Sequence, residues 1–570
     1  MRLWIFGMLL ISLSSPDGFS QGVDLRITLQ DSSQLALDTK HQLERSYPDS
    51  NTLKNRLTAR LSELRTLGYF TASFDTLRFH DTVAEASFHL GRQFVWGHFR
   101  VKNVPEEIEF PRGLSDANAF SGRPVHLKQF QSVLKQMSVF LKDQGYPFPA
   151  FRLKNIHFTG KDTVHADLSV ESGERFRIDT IYQKGPARIH KQYLYSKLEL
   201  HRGMLFSASQ MADISEGISR IPFLKEQQPA EVNFSDQQRA NIYLYLEKDQ
   251  SNRASGIVGF QSGEENRLQL TGDFNLLLHN AFRRGEQLRV EWESFEEKSQ
   301  RLDLGFHYPF LLFQRVGISL EGSLLKQDAS YLTTDFSLGV PIQMSRKNEL
   351  EFFGHFQNSS VIADQPDALG SFREVKKRLY GVNFQHNSLD YELNPAAGLL
   401  LDVYSSLGEK VSDSERSVHL ESGLTVSWYK QLWKALVLKA SLNGEYMNSW
   451  QDETEELAYS KNELFRLGGT KLLRGFQEQS FFASRYLISS LELRYLLGSH
   501  SNVFLFWDGG YYKNPASQGN LSGFPYGFGM GAQLDTGTGI LSLSYAMGHQ
   551  KNDPVSLENA KVHIGYITLF

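Results

Sequence analysis

The chain has 570 residues, too many for one ordinary domain, and its formal net charge of −4 lacks the basic surplus of a nucleic-acid-binding surface. It contains no cysteine, which excludes a disulfide framework, a thiolate metal site and a lipid-modified N-terminal cysteine. That absence fixes no compartment, although it suits an envelope protein.

At the N-terminus Arg2 supplies a positive start, Leu3 to Leu13 an apolar run, and Gly18-x-Ser20 a small-x-small cleavage site before Gln21. The three together predict a signal peptide over residues 1–20; the alternative is a buried N-terminal helix. No later stretch has the run of about 20 apolar residues that a transmembrane helix needs. The mature chain is therefore an exported soluble protein or a transmembrane β-barrel, whose strands hide their hydrophobicity because only alternate residues face lipid.

Residues 21–250 repeat. Leu53, Leu57, Leu61 and Leu64 lie on one face of an amphipathic helix that ends at Gly68-Tyr69, followed by strand-like segments near Ala72–Phe79 and Thr82–Leu90. Leu127, Phe130, Leu134, Met137 and Leu141 form a second stripe ending at Gly145-Tyr146, 77 positions after the first Gly-Tyr pair, with strands near Phe151–Phe158 and Thr163–Glu171. A fainter third unit has Met211, Ile214, Ile218 and Ile221, then strands near Ala230–Ser235 and Arg239–Glu247, and lacks the Gly-Tyr turn. The period predicts three modules, 21–91, 92–173 and 174–250, each ordered strand, helix, helix, strand, strand. Their small sheets have free edges able to accept an extended peptide, or the modules serve only as spacers.

From residue 251 to 570 the helical period gives way to a two-residue one. Leu302, Leu304, Phe306, Tyr308 and Phe310 share one face against Arg301, Asp303, Gly305 and His307. The same alternation recurs in Leu436–Glu445, Leu491–Tyr495 and at the C-terminus, where Val562, Ile564, Tyr566, Thr568 and Phe570 share a side. Charges and glycines on the polar face, with 12% aromatics overall, fit transmembrane strands around a wet lumen. About 20 residues per strand and connection gives roughly 16 antiparallel strands. The carboxylate pairs Glu264-Glu265 and Glu296-Glu297 read as strand-end turns, and Glu453, Glu455 and Glu456 as a solvated loop.

Four stretches in this half carry a family resemblance. They are Gly256-Ile-Val-Gly259-Phe with Asn280-Ala-Phe-Arg-Arg-Gly-Glu286 and Tyr308-Pro-Phe310; Asn394-Pro395-Ala-Ala-Gly398; Leu467-Gly468-Gly469-Thr-Lys-Leu-Leu-Arg474-Gly475-Phe476; and Phe504-Leu-Phe506-Trp-Asp508-Gly-Gly510. The last two are the most specific, because Phe506 follows the Arg-Gly-Phe by about 30 residues, the separation the family shows. The chain resembles the POTRA-plus-barrel outer-membrane insertases and translocators, which include BamA-like, TamA-like and two-partner secretion proteins. The resemblance implies three POTRA-like modules in the periplasm and a bacterial-surface-antigen barrel in the outer membrane. Three modules stand closer to the TamA-like branch than to the five usual in BamA-like members, and no plug helix of the two-partner kind precedes them.

The resemblance places Arg474-Gly475-Phe476 on a lid loop folded into the barrel. Strand parity turns Phe506, Asp508 and Gly510 inward with Asn502, so the arginine fork is expected to meet the Asp508 carboxylate. Pro395 and Gly398 form a mid-barrel element. Gly256 and Gly259 in the first strand, with His563, Gly565 and Phe570 in the last, mark a weak seam and a C-terminal signal in which Thr568 replaces the usual aromatic. A client strand added at that seam would be inserted or secreted, with unfolded outer-membrane or secreted proteins, the bilayer and periplasmic subunits as partners. A passive pore or structural anchor is the alternative. An enzyme is disfavoured, since no nucleophile motif, metal-ligand spacing or cofactor-binding loop is present.

Overall fold

A computed structural model of the protein describes residues 22–111, 120–262, 268–296, 299–312, 315–328, 330–362, 372–391, 393–450, 459–469, 472–477, 479–515, 521–537, 539–550 and 560–569. Residues 257–262, 268–272, 295–296 and 569 are described for the backbone only. The predicted signal peptide, Glu264-Glu265, Glu297, Glu453, Glu455, Glu456 and Phe570 lie outside the described residues.

The first module is β1 (Val23–Leu29), α1 (Gln34–Leu43), β2 (Ser46–Tyr47), α2 (Ser50–Thr66), β3 (Ser73–His80) and β4 (Val83–His89), with sheet order β2-β1-β4-β3. Asp49 starts α2 by accepting from the Asn51 and Thr52 amides. At its end the Tyr69 amide donates to the Leu64 carbonyl while Gly68 takes φ +93°, a left-handed cap that glycine adopts without strain. Leu53, Leu57 and Leu64 of the stripe are buried against Leu25, Ile27 and Phe88 of the sheet.

The second module has β5 (Val95–Lys102), α3 (Leu127–Asp143), β6 (Ala150–Thr159) and β7 (Thr163–Glu171), with order β5-β7-β6 and one helix among the described residues. Gly145 repeats the cap at φ +95°, with the Tyr146 amide on the Leu141 carbonyl. The Tyr146 hydroxyl donates to Glu107. Burial, aided by that carboxylate, pushes its pKa up to about 12, and the same bond holds Glu107 below its usual range.

The third module is β8 (Arg177–Lys184), α4 (Lys191–Lys197), α5 (Ala208–Ala212), α6 (Ile214–Ser219), β9 (Leu224–Ser235) and β10 (Arg239–Lys248), ordered β8-β10-β9. Two expectations need correction. The stripe Ile214, Ile218 and Ile221 is buried, yet its helix is broken at Asp213 rather than continuous from Met211. The strand expected from Ala230 begins at Leu224. Pro229 hid its first half; the proline is tolerated because β9 is an edge strand with an irregular register between its Glu231 and Gln228 pairs.

The remaining strands close a barrel. They are β11 (Arg253–Ser262), β12 (Leu268–His279), β13 (Gln287–Glu296), β14 (Ser299–Leu312), β15 (Val316–Gln327), β16 (Tyr331–Ser345), β17 (Asn348–Val361), β18 (Val375–Asn387), β19 (Gly398–Ser412), β20 (Glu415–Trp433) and β21 (Leu436–Trp450). After a loop containing the short pair β22 (Phe465–Leu467) and β23 (Phe481–Ala483) come β24 (Arg485–Leu496), β25 (Asn502–Asn514), β26 (Leu521–Gly523), β27 (Tyr526–Asp535), β28 (Gly539–His549) and β29 (Lys561–Leu569). Each wall strand pairs antiparallel with its neighbours and β11 meets β29; β26 sits beside β27 on β25, so the wall counts sixteen strands. Among the described residues no helix is long and apolar enough to cross a membrane. Exposed Leu304, Leu491, Leu505 and Ile564 follow the predicted lipid-facing parity.

Phe310 departs from that parity. A register break between Tyr308 and Leu312 turns it inward, where it joins the third module's core with its ring 5.5 Å from Tyr193. Most of the third module, Ile178–Met204 and the residues from Met211, is part of the same compact unit as the barrel, while Leu205–Gln210 go with the first two modules in another. Tyr193 also covers Gly285, where a Cβ would come 1.9 Å from the ring. Arg346, in the β16–β17 turn, donates to the Leu198 and Asp213 carbonyls and pairs with Glu199.

Candidate functional site

Strand alternation sorts the connections. Those after β12, β14, β16, β18, β20, β24 and β27 share the barrel end where the third module joins; the others, including the long β21–β24 loop, lie at the opposite end. That long loop turns back into the lumen. Its Leu467, Leu473 and Phe481 are buried with Ile488 of β24 and Tyr512 of β25, and Phe476 meets Phe481 edge-to-face with ring centroids 5.1 Å apart.

Arg474 is the centre of the contact. Its Nε donates to Asp508 Oδ2 at 2.7 Å and its Nη2 to Asp508 Oδ1 at 2.6 Å, the two-pronged geometry a guanidinium fork makes with a carboxylate. Its amide also donates to Asp508, its Nη1 lies 2.9 Å from Glu492, and its guanidinium stacks 3.7 Å from the Phe506 ring centroid. Ser490 donates to Asp508 from the adjacent strand. Asp508 is 1% and Glu492 3% exposed, so both charges depend on their partners rather than on water. Glu492 is further paired with Arg494 and Lys439.

The glycines let the loop reach this depth. Gly468, Gly469 and Gly475 all have left-handed φ, of +108°, +99° and +96°. The Arg474-Gly475 backbone lies against Gly527 of β27 and Gly548 of β28, which are register partners. A Cβ on Gly527 would sit 2.0 Å from the Arg474 carbonyl oxygen. Gly510 fits closely within the wall itself, where a Cβ would meet the Leu487 carbonyl at 1.9 Å.

The structure thus brings Arg474, Gly475, Phe476, Phe506 and Asp508 together. It adds Glu492, Ser490, Gly527 and Gly548, which the sequence reading did not single out. Glu492 had its signal, since its alternation with Leu491 and Leu493 placed it inward; its register opposite Phe506 did not.

Pro395 and Gly398 lie elsewhere, in the β18–β19 turn at the module end. Gly398 has φ +121° and packs on the Ser388 carbonyl. Buried Asn394 beside them donates to the Gly498 carbonyl and accepts from Asn502, tying this turn to the β24–β25 turn.

The seam is short. β11 and β29 share three register pairs, Arg253↔Leu569, Ala254↔Thr568 and Ser255↔Ile567, whereas β11 and β12 share ten. Among the described residues no pair joins Gly256–Ser262 to Lys561–Tyr566, a stretch that holds Gly256, Gly259, His563 and Gly565. The third module's Tyr193, Lys197 and Arg220 line a cavity of about 790 Å³ in the lumen, shared with Glu349 and Glu351 of β17. Burial there holds the Lys197 ammonium below the ordinary lysine range, opposed by Glu349. No group of side chains among the described residues is arranged to hold a metal ion.

Residues 280–566 match the Omp85 superfamily domain. CdiB from Escherichia coli is similar with 15% identity and a TM-score of 0.54, covering 91% of this chain and 97% of that one. CdiB from Acinetobacter baumannii matches with 12% identity and a TM-score of 0.52, covering 90% and 97%. BamA from Haemophilus ducreyi lacking POTRA domains 1-3 matches with 15% identity and a TM-score of 0.47, covering 84% and 100%. The two CdiB matches, at such identities, speak for the fold alone. No curated protein matches the chain.

Proposed function

The chain belongs to the Omp85 superfamily, and from that premise we propose that it inserts or translocates client proteins at the bacterial outer membrane through the seam between β11 and β29. The observation that carries this reading is the three-pair seam in a wall otherwise joined over longer registers. In hydrocarbon an unpaired backbone group costs several kcal/mol, so the seam is where the wall parts at least cost and where an incoming strand gains most. The loop bearing Arg474-Gly475-Phe476 acts as the lid of the lumen, with Phe506, Asp508 and Gly510 as its seat. Gly256, Gly259, His563, Gly565 and Phe570 belong to the exit, and Pro395 and Gly398 to the turn that steadies the module end.

Residues 1–20 direct export, and the modules 21–91, 92–173 and 174–250 stand in the periplasm and receive unfolded outer-membrane or secreted proteins by strand addition. In the second module β6 is, among the described residues, an edge strand whose Leu153, Ile156 and Phe158 are exposed, with Phe148 just ahead of it at 62%. Periplasmic subunits and the bilayer are the other partners, and the role involves no catalysis and no cofactor. A passive pore is the weaker reading, because the buried side chains of the loop occupy the lumen.

Depletion of the protein followed by quantitative proteomics of the outer membrane tests this. Selective loss of barrels or surface proteins supports it and names the clients; an unchanged membrane proteome counts against it.

A further inference from the structure

The loop that meets Asp508 has a second foothold on strands across the barrel. Before β22 it makes a single 3-10 turn, Lys461–Glu463, in which the Ser460 amide and hydroxyl both donate to Glu463 Oε1. The other carboxylate oxygen takes Lys410 of β19. Both side chains are nearly sealed from solvent, at 3% for Lys410 and 1% for Glu463, and the Lys410 ammonium also lies 4.8 Å from the Tyr459 ring centroid. Asn462 donates to Ser359 of β17 at 2.8 Å and to the Arg373 carbonyl. Arg466 donates to Gln327 of β15 and Tyr331 of β16.

The wall side of this foothold is electrically incomplete without the loop. Lys377 of β18 is matched by Glu421 of β20, which His419 also touches. Among the described residues Lys410 meets no carboxylate on the strands; its counter-charge is brought by Glu463. A buried ion pair is costly to break from one side, because the remaining charge keeps its desolvation penalty and loses its partner.

We infer that the loop is a two-footed brace, in which the buried Glu463–Lys410 pair holds the β15–β19 wall while Arg474 holds β24, β25, β27 and β28, and that Glu463 and Lys410 are positioning residues for the closed lid. Release of either foot alone leaves the loop tethered at one end, and a swing of the C-terminal strands away from the opposite wall requires at least one foot to let go. This rests on the reading of the loop as a lid and makes no use of any client.

The test is single-channel recording of the purified full chain in planar bilayers, with Lys410→Met, Glu463→Gln, Lys410→Arg and the exchange Lys410→Glu with Glu463→Lys. Each neutralising change is expected to raise the occupancy of high-conductance states on the order of tenfold or more, with Lys410→Arg and the exchange returning towards the parent. Folding is checked by heat-modifiable gel migration. Should the single variants misfold, the parent carrying Asn462→Cys and Ser359→Cys replaces them, since the chain has no other cysteine. Its oxidised form is then expected to lose the spontaneous high-conductance openings and to regain them on reduction. Folded single variants with parental conductance, or an oxidised tether with unaltered openings, would overturn the brace. Because no client enters the assay, a failure here is separable from a failure of the insertase reading.

Discussion

Strands β19 and β20 are joined by fifteen register pairs and β20 and β21 by an equally long ladder, while β11 and β29 share three. The long side is also the side the loop grips through Lys410, and the short side is flanked by the strands it grips through Arg474 and its glycine contacts. The wall is therefore uneven by design of its register: strength is concentrated opposite the seam, and a single loop spans the two regions. On the proposed reading, opening such a barrel depends on the seam and on the brace.

The strongest way to break this comparison is to make the weak side covalent. Ser255→Cys with Ile567→Cys joins two register partners across the seam in a chain with no cysteine of its own. Under oxidising conditions client assembly is expected to stop and to resume on reduction, as read by outer-membrane proteomics. The control, Ser405→Cys with Ser422→Cys on β19 and β20, joins side chains already 2.9 Å apart and should leave assembly unchanged. A seam-locked protein that still assembles clients would show that the exit lies elsewhere.

Next in size is the seat of the lid. Asp508→Asn keeps the shape but removes the charge from a fully buried partner of Arg474, at a cost of about 3 kcal/mol to the closed loop. Glu492 remains as a second carboxylate and limits the loss. Trypsin cleavage within residues 459–484 of the folded barrel should accelerate on the order of 100-fold. An unchanged rate would mean the loop is held by its apolar contacts alone. Gly527→Ala has a smaller effect, about 1–3 kcal/mol, because its methyl displaces the Arg474 carbonyl by overlap without removing a charge. It should give the same cleavage site at an intermediate rate.

Much of this was legible in the sequence because short-range periods set it. The stripes and the Gly68 and Gly145 caps locate α2 and α3, and a period of two puts Asp508 on the inner face before any neighbour is known. What stayed hidden depends on register. Glu492 faces inward by the same parity, but its place beside Asp508 follows from the pairing of β24 with β25. Gly527 and Gly548 become a notch only when β27 and β28 align. Lys410 and Glu463 come from a strand and a loop with no shared motif. Phe310 was misplaced because a register break inverts parity, and the start of β9 because an edge strand tolerates a proline that an inner strand would not.

The seam itself offers the finest probe. Gly256 cannot accept a side chain freely, since its Cβ would lie 2.5 Å from the Asp273 carbonyl on β12. Gly565, on the other side of the seam, has nothing within 4 Å of an added Cβ. Glycine there weakens β29 without a packing reason, so Gly565→Thr should strengthen the strand by up to about 1 kcal/mol. Amide hydrogen exchange over residues 561–569 should slow by up to about fivefold, and client assembly should slow with it. Slower exchange with undiminished assembly would separate the strength of the last strand from the rate of opening, leaving the brace rather than the seam as the step that sets the pace.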